Sequence, residues 1–364
     1  MSKKLNVLIA CGGTGGHLFP GVAVAEEFDR RGHEVLLLIS EKKVDAQGAK
    51  KYTNLAFQTV PAIAKPSMLS PKMIPFLIKL WRSIRQCRKI LLQNHCSAVL
   101  GMGGFTSLAP VLAGKKLGLM SYVHDSNALP GKANRITARW CDKVLLGMAA
   151  ASSYFHDSKV VLTGTPVRQE LIKLPGQAEA RKIFGLDENA SVVLVMGGSQ
   201  GAQTLNTLVT EAAKATPGLQ FIHITGSHDY ERVKTLVADR KGYHVMDFCG
   251  DMAAAYAASD VAVCRSGASS MTELAHVGMP SILVPYPYAA DDHQTMNAKV
   301  FEDAGAAVLR PQDELDAGQL VADLTLILED EEHRKAMSAS AHALAVGDAA
   351  AQICDLISAD VINA

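Results

Sequence analysis

The chain holds 364 residues, room for two domains or three at roughly 150 residues each. Hydrophobic residues make up 48% and charged residues 20%, a globular balance that excludes disorder over most of the length. Lys plus Arg and Asp plus Glu both number 36, so the net charge is zero, which excludes a bulk nucleic-acid binder but not a local basic patch.

Residues 5–10 form a short apolar run. Only Lys3 and Lys4 stand just before it and glycines follow, which does not read as a signal peptide. Next come Cys11-Gly-Gly-Thr-Gly-Gly-His17 and an amphipathic stretch over 19–31, a strand, glycine loop and helix in turn. Residues 33–40 read as the next strand, closing a βαβ unit and predicting a parallel sheet. Over 71–89, Lys72, Lys79, Arg82, Arg85, Arg88 and Lys89 interleave with Ile74, Phe76, Leu77, Ile78, Leu80 and Trp81, with no acid. Such a run suits an anionic membrane surface. A helix that buries its apolar face and solvates its basic one accounts for the same residues. The uncharged stretch 97–114 is broken by glycines and Pro110, and reads as strand, loop and buried helix rather than a membrane span. Residues 98–101, 120–124 and 143–146 are further strands, apolar without alternation, as expected when both sheet faces are covered.

Half a chain later the opening recurs. Strand 191–196 meets Gly197-Gly-Ser-Gln-Gly201 and a helix over 202–214, then strands over 221–225, 243–246, 261–264 and 281–285. The chain therefore reads as two doubly wound α/β domains with a linker near 163–167. A last apolar helix over 349–362 is placed to return to the first domain. The seven cysteines are odd in number and lack a C-x-x-C pair, which fits buried thiols in a reducing compartment.

Four places carry chemistry. The first glycine loop exposes backbone N–H groups at a helix start, a setting for anions. It is not a dinucleotide fingerprint, because the third glycine counted from Gly13 is Leu18, and no G-K-[ST] follows. His17 at that helix start suits a neutral general base; a histidine packed at a cap is the other account. The second loop offers the same geometry plus the Ser199 hydroxyl, or is simply a tight strand-to-helix turn. In Cys264-Arg-Ser-Gly-Ala-Ser-Ser-Met-Thr-Glu273, Ser269 or Ser270 is expected to cap a phosphate-facing helix. Glu273, read in its first turn, either accepts from a ribose diol or serves as a capping-box acid. Asp291-Asp-His-Gln-Thr-Met-Asn297 reads as a polar loop, where Gln294 and Asn297 suit sugar hydroxyls or water.

Together these residues resemble the MurG family of N-acetylglucosaminyltransferases. The resemblance rests on Gly12-Gly-Thr-Gly-Gly-His17, Gly101-Met-Gly-Gly104, Asn127, Thr163-Gly-Thr-Pro-Val-Arg168, Gly197-Gly-Ser-Gln-Gly-Ala202, Arg265-Ser-Gly-Ala268, Glu273 and Asp292-His-Gln-x-x-Asn-Ala298, and it spans nearly the whole chain. It implies a GT-B fold, two Rossmann-like parallel-sheet domains facing a deep cleft, bounded at 1–164 and 165–344 with helix 345–364 packed back on the first. It implies inverting transfer of GlcNAc from UDP-GlcNAc to the C4 hydroxyl of MurNAc in lipid I, giving lipid II. By this resemblance Thr14, Gly15 and Gly16 lie where donor sugar and acceptor meet. Asn127, Arg168 and Ser199 touch the donor, and Phe248 frames the uracil. Ala268, Ser269, Ser270, Met271, Thr272 and Glu273 hold diphosphate and ribose, and Gln294 and Asn297 read GlcNAc. His17 is the candidate base, with Asp125 next. No metal or other cofactor is expected, since helix N-termini and Arg168 can meet the leaving-group charge. The partners implied are the two substrates and an anionic membrane met by residues 72–89, at the cytoplasmic face, with no transmembrane segment and no nucleic acid.

Two departures touch the acceptor side. The family's His-Glu-Gln-Asn is His124-Asp-Ser-Asn127 here, and a frequent Tyr is Phe105. They leave open a related GT-B enzyme acting on another lipid such as diacylglycerol. A nicotinamide oxidoreductase and a non-catalytic nucleotide-sugar sensor are the readings from other classes.

Overall fold

The computed structural model describes residues 4–13, 15–41, 49, 52–61, 71, 73–197 and 202–364. It divides into two compact units, Met1–Arg168 with Val346–Ala364, and Gln169–Ala345. The first boundary falls four residues beyond the expected 164, so Arg168 belongs to the first unit and not the second.

In the first unit the described strands are β1 (Asn6–Ala10), β2 (Glu34–Ser40), β3 (Ala56–Val60), β4 (Ala98–Gly101), β5 (Met120–Asp125), β6 (Lys143–Leu146) and β7 (Val160–Leu162). They pair in the order β3-β2-β1-β4-β5-β6-β7, and every pairing is parallel. Side chains alternate across a strand, so β1 serves two cores. Val7 and Ile9 pack with Phe28 of the helix Gly15–Arg30 and with Ile353 and Ile357 of the last helix, Ala349–Asn363. Leu8 and Ala10 pack on the other face with Cys87 and Ile90 of the helix Met73–Gln93 and Val111 of the helix Gly104–Lys116. Both faces are covered, which is why these strands carry no polar alternation.

In the second unit β8 (Val192–Met196), β9 (Gln220–Ile224), β10 (Tyr243–Met246), β11 (Val261–Cys264), β12 (Ser281–Leu283) and β13 (Ala307–Leu309) pair in the order β10-β9-β8-β11-β12-β13, again all parallel. Val193, Val195, Val261, Val263 and Ile282 meet the helices Gln203–Ala215 and Ala317–Glu329 in one core. Each sheet thus has a switch point, between β1 and β4 and between β8 and β11, where successive crossovers leave in opposite directions and loops at the strand C-termini splay apart.

Close helix packing on β1 falls to a glycine outside the dinucleotide register. A Cβ on Gly21 would sit 2.4 Å from Cys11 Cβ, so only glycine lets the helix Gly15–Arg30 approach this closely. Among the described residues no helix is long and apolar enough to cross a membrane.

Candidate active site

In the first unit candidate residues lie on the loops after β1 and β4. His17 is the third residue of the helix Gly15–Arg30 and is half-buried, as are Gly15 and Gly16. Thr14 lies outside the described residues. Gly103 and Gly104 have φ of +115° and +71°. A Cβ on Gly103 would fall 2.9 Å from His17 Nε2, and one on Gly104 3.2 Å from its Cε1. The imidazole therefore lies against bare backbone, in a slot that side chains would close. Ser107 holds the slot. Its Oγ accepts from Gly103 N at 2.9 Å and donates to the Gly103 carbonyl at 2.8 Å.

Asp125, at the end of β5, is 1% exposed. Asn127 N at 2.9 Å and Asn127 Nδ2 at 3.3 Å donate to its Oδ1. Gly131 N at 3.1 Å and Asn134 Nδ2 at 2.8 Å donate to its Oδ2. Burial pushes its pKa up, and the four donors oppose that. A carboxyl so engaged organises the 126–131 loop and the short helix Lys132–Thr137. It is not poised as a base for a substrate hydroxyl, and the shorter side chain than the family's Glu fits this local work. Its neighbour His124 is fully buried, with Nε2 2.9 Å from the Gly164 carbonyl, and burial pushes its pKa down to about 4. Asn127 is half-buried beside it. Phe105 packs edge-on against Phe76, ring centres 6.3 Å apart. Arg168 sets its guanidinium 5.8 Å from the Phe19 ring, two residues along the chain from His17.

The second unit carries its own group of candidate residues at its switch point. Beyond Gly197 the glycine loop, with Ser199, is outside the described residues. After β11 the helix Ala268–Val277 is capped by Gly267, with no side-chain cap bond, which corrects the expectation that Ser269 or Ser270 caps it. Both serines are already helical, where their side chains no longer reach the cap position. Ala268, Ser269 and Ser270 are its first three residues, so their N–H groups have no carbonyl a turn earlier. Ser269 Oγ is buried with no hydrogen-bond partner. Met271 is fully buried, and Thr272 Oγ1 donates back to the Ala268 carbonyl at 2.9 Å, so both side chains serve the helix itself.

Glu273 falls in the second turn, which removes it from a capping box. Its Oε2 accepts from Tyr256 Oη at 2.9 Å. Tyr256, in the helix Met252–Ala258, is 1% exposed. Arg265 is also buried and donates to the carbonyls of Val284 and Pro285, both at 3.0 Å, and to Gln312. Burial pushes its pKa down, and its charge is held by carbonyl dipoles directly behind the 265–267 turn.

The run 291–297 is not the loop expected of its polarity. It enters the helix His293–Asp303 through Asp291 and Asp292, whose φ values are +53° and +54°. Asp292 Oδ1 accepts from Thr295 Oγ1 at 2.6 Å, which helps start that helix. Gln294 is half-buried and its Oε1 accepts from Tyr286 N at 2.9 Å. Asn297 is fully buried and its Nδ2 donates to the Ser266 carbonyl at 3.0 Å. Asn297 is therefore a strut under the 265–267 turn, not a group presented to a sugar. Phe248, after β10, is 63% exposed.

Among the described residues no group of three or more His, Cys, Asp and Glu is placed to hold a metal ion. The sequence reading missed Tyr256, Arg265 and Asn134. Arg265 stood inside a quoted motif, while Tyr256 and Asn134 gave no local signal.

The glycosyltransferase family 28 N-terminal domain model matches residues 7–146, and the C-terminal domain model matches residues 192–353. A Nostoc punctiforme protein is 37% identical over 358 residues, covering 98% of each chain. One from Desulfotalea psychrophila is 38% identical, covering 97% of this chain and 96% of its own. Both are named UDP-N-acetylglucosamine--N-acetylmuramyl-(pentapeptide) pyrophosphoryl-undecaprenol N-acetylglucosamine transferase. The crystal structure of Acinetobacter baumannii MurG matches with a TM-score of 0.77 and 29% identity, covering 98% of this chain and 99% of that one.

The chain belongs to the MurG family. Its two parallel-sheet domains are those of the GT-B fold class, and it is a glycosyltransferase. In this MurG family member the departures at Asp125 and Phe105 are absorbed locally, by the 126–131 loop and by Phe76.

Proposed function

We propose that this enzyme transfers GlcNAc from UDP-GlcNAc to the C4 hydroxyl of MurNAc in lipid I, with inversion, forming lipid II for peptidoglycan synthesis and so serving cell shape and division. The observation that carries the reading is the full-length likeness to enzymes named for this transfer.

The geometry supports a division of labour. The first-turn N–H groups of Ala268, Ser269 and Ser270, with Ser269 Oγ, receive the diphosphate at a helix N-terminus. The buried Arg265 adds positive potential behind the same turn. Glu273, fixed by Tyr256, takes the ribose diol, and Gln294 meets the GlcNAc hydroxyls. Phe248 frames the uracil. Asn127, Arg168 and Ser199 complete the donor contacts, and Gly15 and Gly16 with Thr14 leave room where donor and acceptor meet. His17 removes the proton of the acceptor hydroxyl as that oxygen attacks the anomeric carbon. The charge arriving on UDP is met by fixed dipoles and arginine, with no divalent cation required. The exposed face of the helix Met73–Gln93 seats the enzyme peripherally on the anionic cytoplasmic face of the membrane, where a polyprenyl-linked acceptor resides.

The test is transfer of labelled GlcNAc from UDP-GlcNAc to a short-chain lipid I analogue, beside diacylglycerol in the same vesicles. Turnover on lipid I alone is expected. Transfer to diacylglycerol instead, or tight UDP-GlcNAc binding with no transfer to lipid I, overturns the acceptor assignment.

A further inference from the structure

Ser266 is fully buried in the turn that leads into the helix Ala268–Val277, yet its hydroxyl serves a different helix. Oγ donates to the Gln294 carbonyl at 2.8 Å, in the first turn of the helix His293–Asp303. The Ser266 carbonyl accepts from Asn297 Nδ2 of that same helix at 3.0 Å. The turn before one helix is thus pinned at two points to the start of another.

The link closes on itself through the chain after β12. Arg265 Nη1 donates to the carbonyls of Val284 and Pro285, both at 3.0 Å, and its guanidinium lies 5.6 Å from the Tyr286 ring. Tyr286 N donates in turn to Gln294 Oε1 at 2.9 Å. Residues 265–266, 284–286 and 294 therefore form a ring of hydrogen bonds, which Gln294 enters by both its main chain and its side chain. An N–H must face an oxygen, so the Tyr286 bond fixes which way the Gln294 amide lies. Nε2, with its donor hydrogens, is the end left for a ligand, and a ligand oxygen has to accept there.

We propose that Ser266 is a positioning residue for the donor sugar: its hydroxyl sets Gln294 against the diphosphate turn, so that Nε2 meets a GlcNAc hydroxyl oxygen while the diphosphate sits on the N-terminus of the helix Ala268–Val277. This rests on the proposed seating of diphosphate and GlcNAc at these two helix starts. Sugar and diphosphate are joined by the bond that the reaction breaks, so the spacing between the groups that hold them decides where the anomeric carbon stands. The Ser266 bond is what ties those two groups directly. Removing the hydroxyl leaves the turn held by Arg265 and Asn297, and leaves the Gln294 carbonyl its place in its own helix. Ser266→Ala therefore loosens the register between the two subsites without dismantling either.

The experiment is calorimetric titration of the full-length enzyme with UDP and with UDP-GlcNAc, for wild type, Ser266→Ala, Gln294→Ala and the pair. Titration needs no acceptor, so its result stands apart from the choice of lipid. Gln294→Ala is expected to weaken UDP-GlcNAc about tenfold and Ser266→Ala about 3- to 10-fold, with UDP held within about two-fold in both. In the Gln294→Ala background Ser266→Ala should add less than about two-fold, because the amide it positions is gone. A purely structural loss would weaken UDP and UDP-GlcNAc in parallel. That outcome, no change in either ligand, or equal losses in both backgrounds overturns the proposal and leaves Gln294 as the sugar contact. Unchanged UDP-GlcNAc affinity of Gln294→Ala overturns that contact itself, and this inference with it.

Discussion

Tyr256 touches no substrate in the proposed mechanism, yet it decides where Glu273 points. Its hydroxyl is the donor at 2.9 Å to Oε2, and its ring is fully packed, so the carboxylate is aimed by a rigid neighbour. A hydrogen bond to a charged group contributes roughly 1.5–3 kcal/mol, and 1.4 kcal/mol is tenfold in binding. Tyr256→Phe keeps the ring, and so should keep the fold. KM for UDP-GlcNAc is expected to rise about tenfold with kcat nearly unchanged, read by steady-state kinetics and by calorimetric titration of UDP. Unchanged affinity would remove Glu273 from the ribose. This pairing also marks how far sequence carries at the residue scale. His17, Glu273 and Gln294 could be named as candidates because each is a polar residue on the loop or helix that follows an apolar strand. Tyr256 could not, because its partner Glu273 stands on another helix. Asp125, named as the second candidate base, and Asn297, assigned to GlcNAc by resemblance, are instead buried against backbone groups, which local sequence does not reveal.

The helix Met73–Gln93 carries two apolar stripes where a core helix needs one. Phe76, Ser83, Cys87, Ile90 and Leu91 face inward. Ile74, Leu77, Ile78 and Trp81 follow an i, i+3, i+4, i+7 spacing and are 68%, 53%, 48% and 54% exposed. Exposed Lys79, Arg82, Arg85, Arg88 and Lys89 follow, and Arg85 lies over the Trp81 ring at 4.4 Å. Lys72, which the sequence reading included, lies outside the described residues. The alternative of a helix that buries its apolar face fails for these four side chains. Membrane seating predicts that Leu77→Glu with Trp81→Glu abolishes sedimentation with vesicles rich in anionic lipid while leaving KM for UDP-GlcNAc within about two-fold. Equal sedimentation of wild type and variant would leave the stripe without a membrane role. Secondary structure was legible by the same logic of stripes and runs, and the failures share a cause. The strands not foreseen are β3, β7 and β13, all at sheet edges, where one side is open and the apolar run shrinks or disappears. Central strands read clearly because both faces must be apolar.

At the scale of the whole chain, the repeat of strand, glycine loop and helix made two domains legible, while the exact boundary was not. The first unit keeps Arg168 and regains the chain at Val346. The returning helix Ala349–Asn363 is tied by more than its buried Ile353 and Ile357. Asp360 accepts from Tyr122 Oη at 2.9 Å and pairs with Lys143 Nζ at 2.7 Å, and Asp355 pairs with Arg31. These anchors depend on tertiary neighbours and leave no local sign. Each unit also buries one histidine completely. Burial holds His124 of the first at about 4, and His223 of the second at about 3. His223 lies between Tyr243 Oη at 2.8 Å from Nδ1 and Asn206 Oδ1 at 3.0 Å from Nε2. Because Asn206 Nδ2 already donates to Asp229 and the Thr225 carbonyl, its oxygen must accept, which places the hydrogen on Nε2. Above about pH 6.5 each ring is neutral folded and unfolded, so the full stability is present. As pH falls below that value the unfolded chain binds a proton that the native ring refuses, and stability drops by about 1.4 kcal/mol per pH unit for each histidine until the folded values are reached. The less buried His33 and His244 act in the same sense, while the ion-paired Glu27, Asp142 and Asp229 add losses only nearer pH 4. Hydrogen exchange read by mass spectrometry at pH 7 and pH 5, corrected for intrinsic rates, should therefore show protection falling in peptides from β5 and from β9 alike. His223→Gln should flatten the response in the second unit and leave that of the first. A drop confined to one unit, or protection that holds constant down to pH 5, would mean that the native rings are not held neutral by their burial.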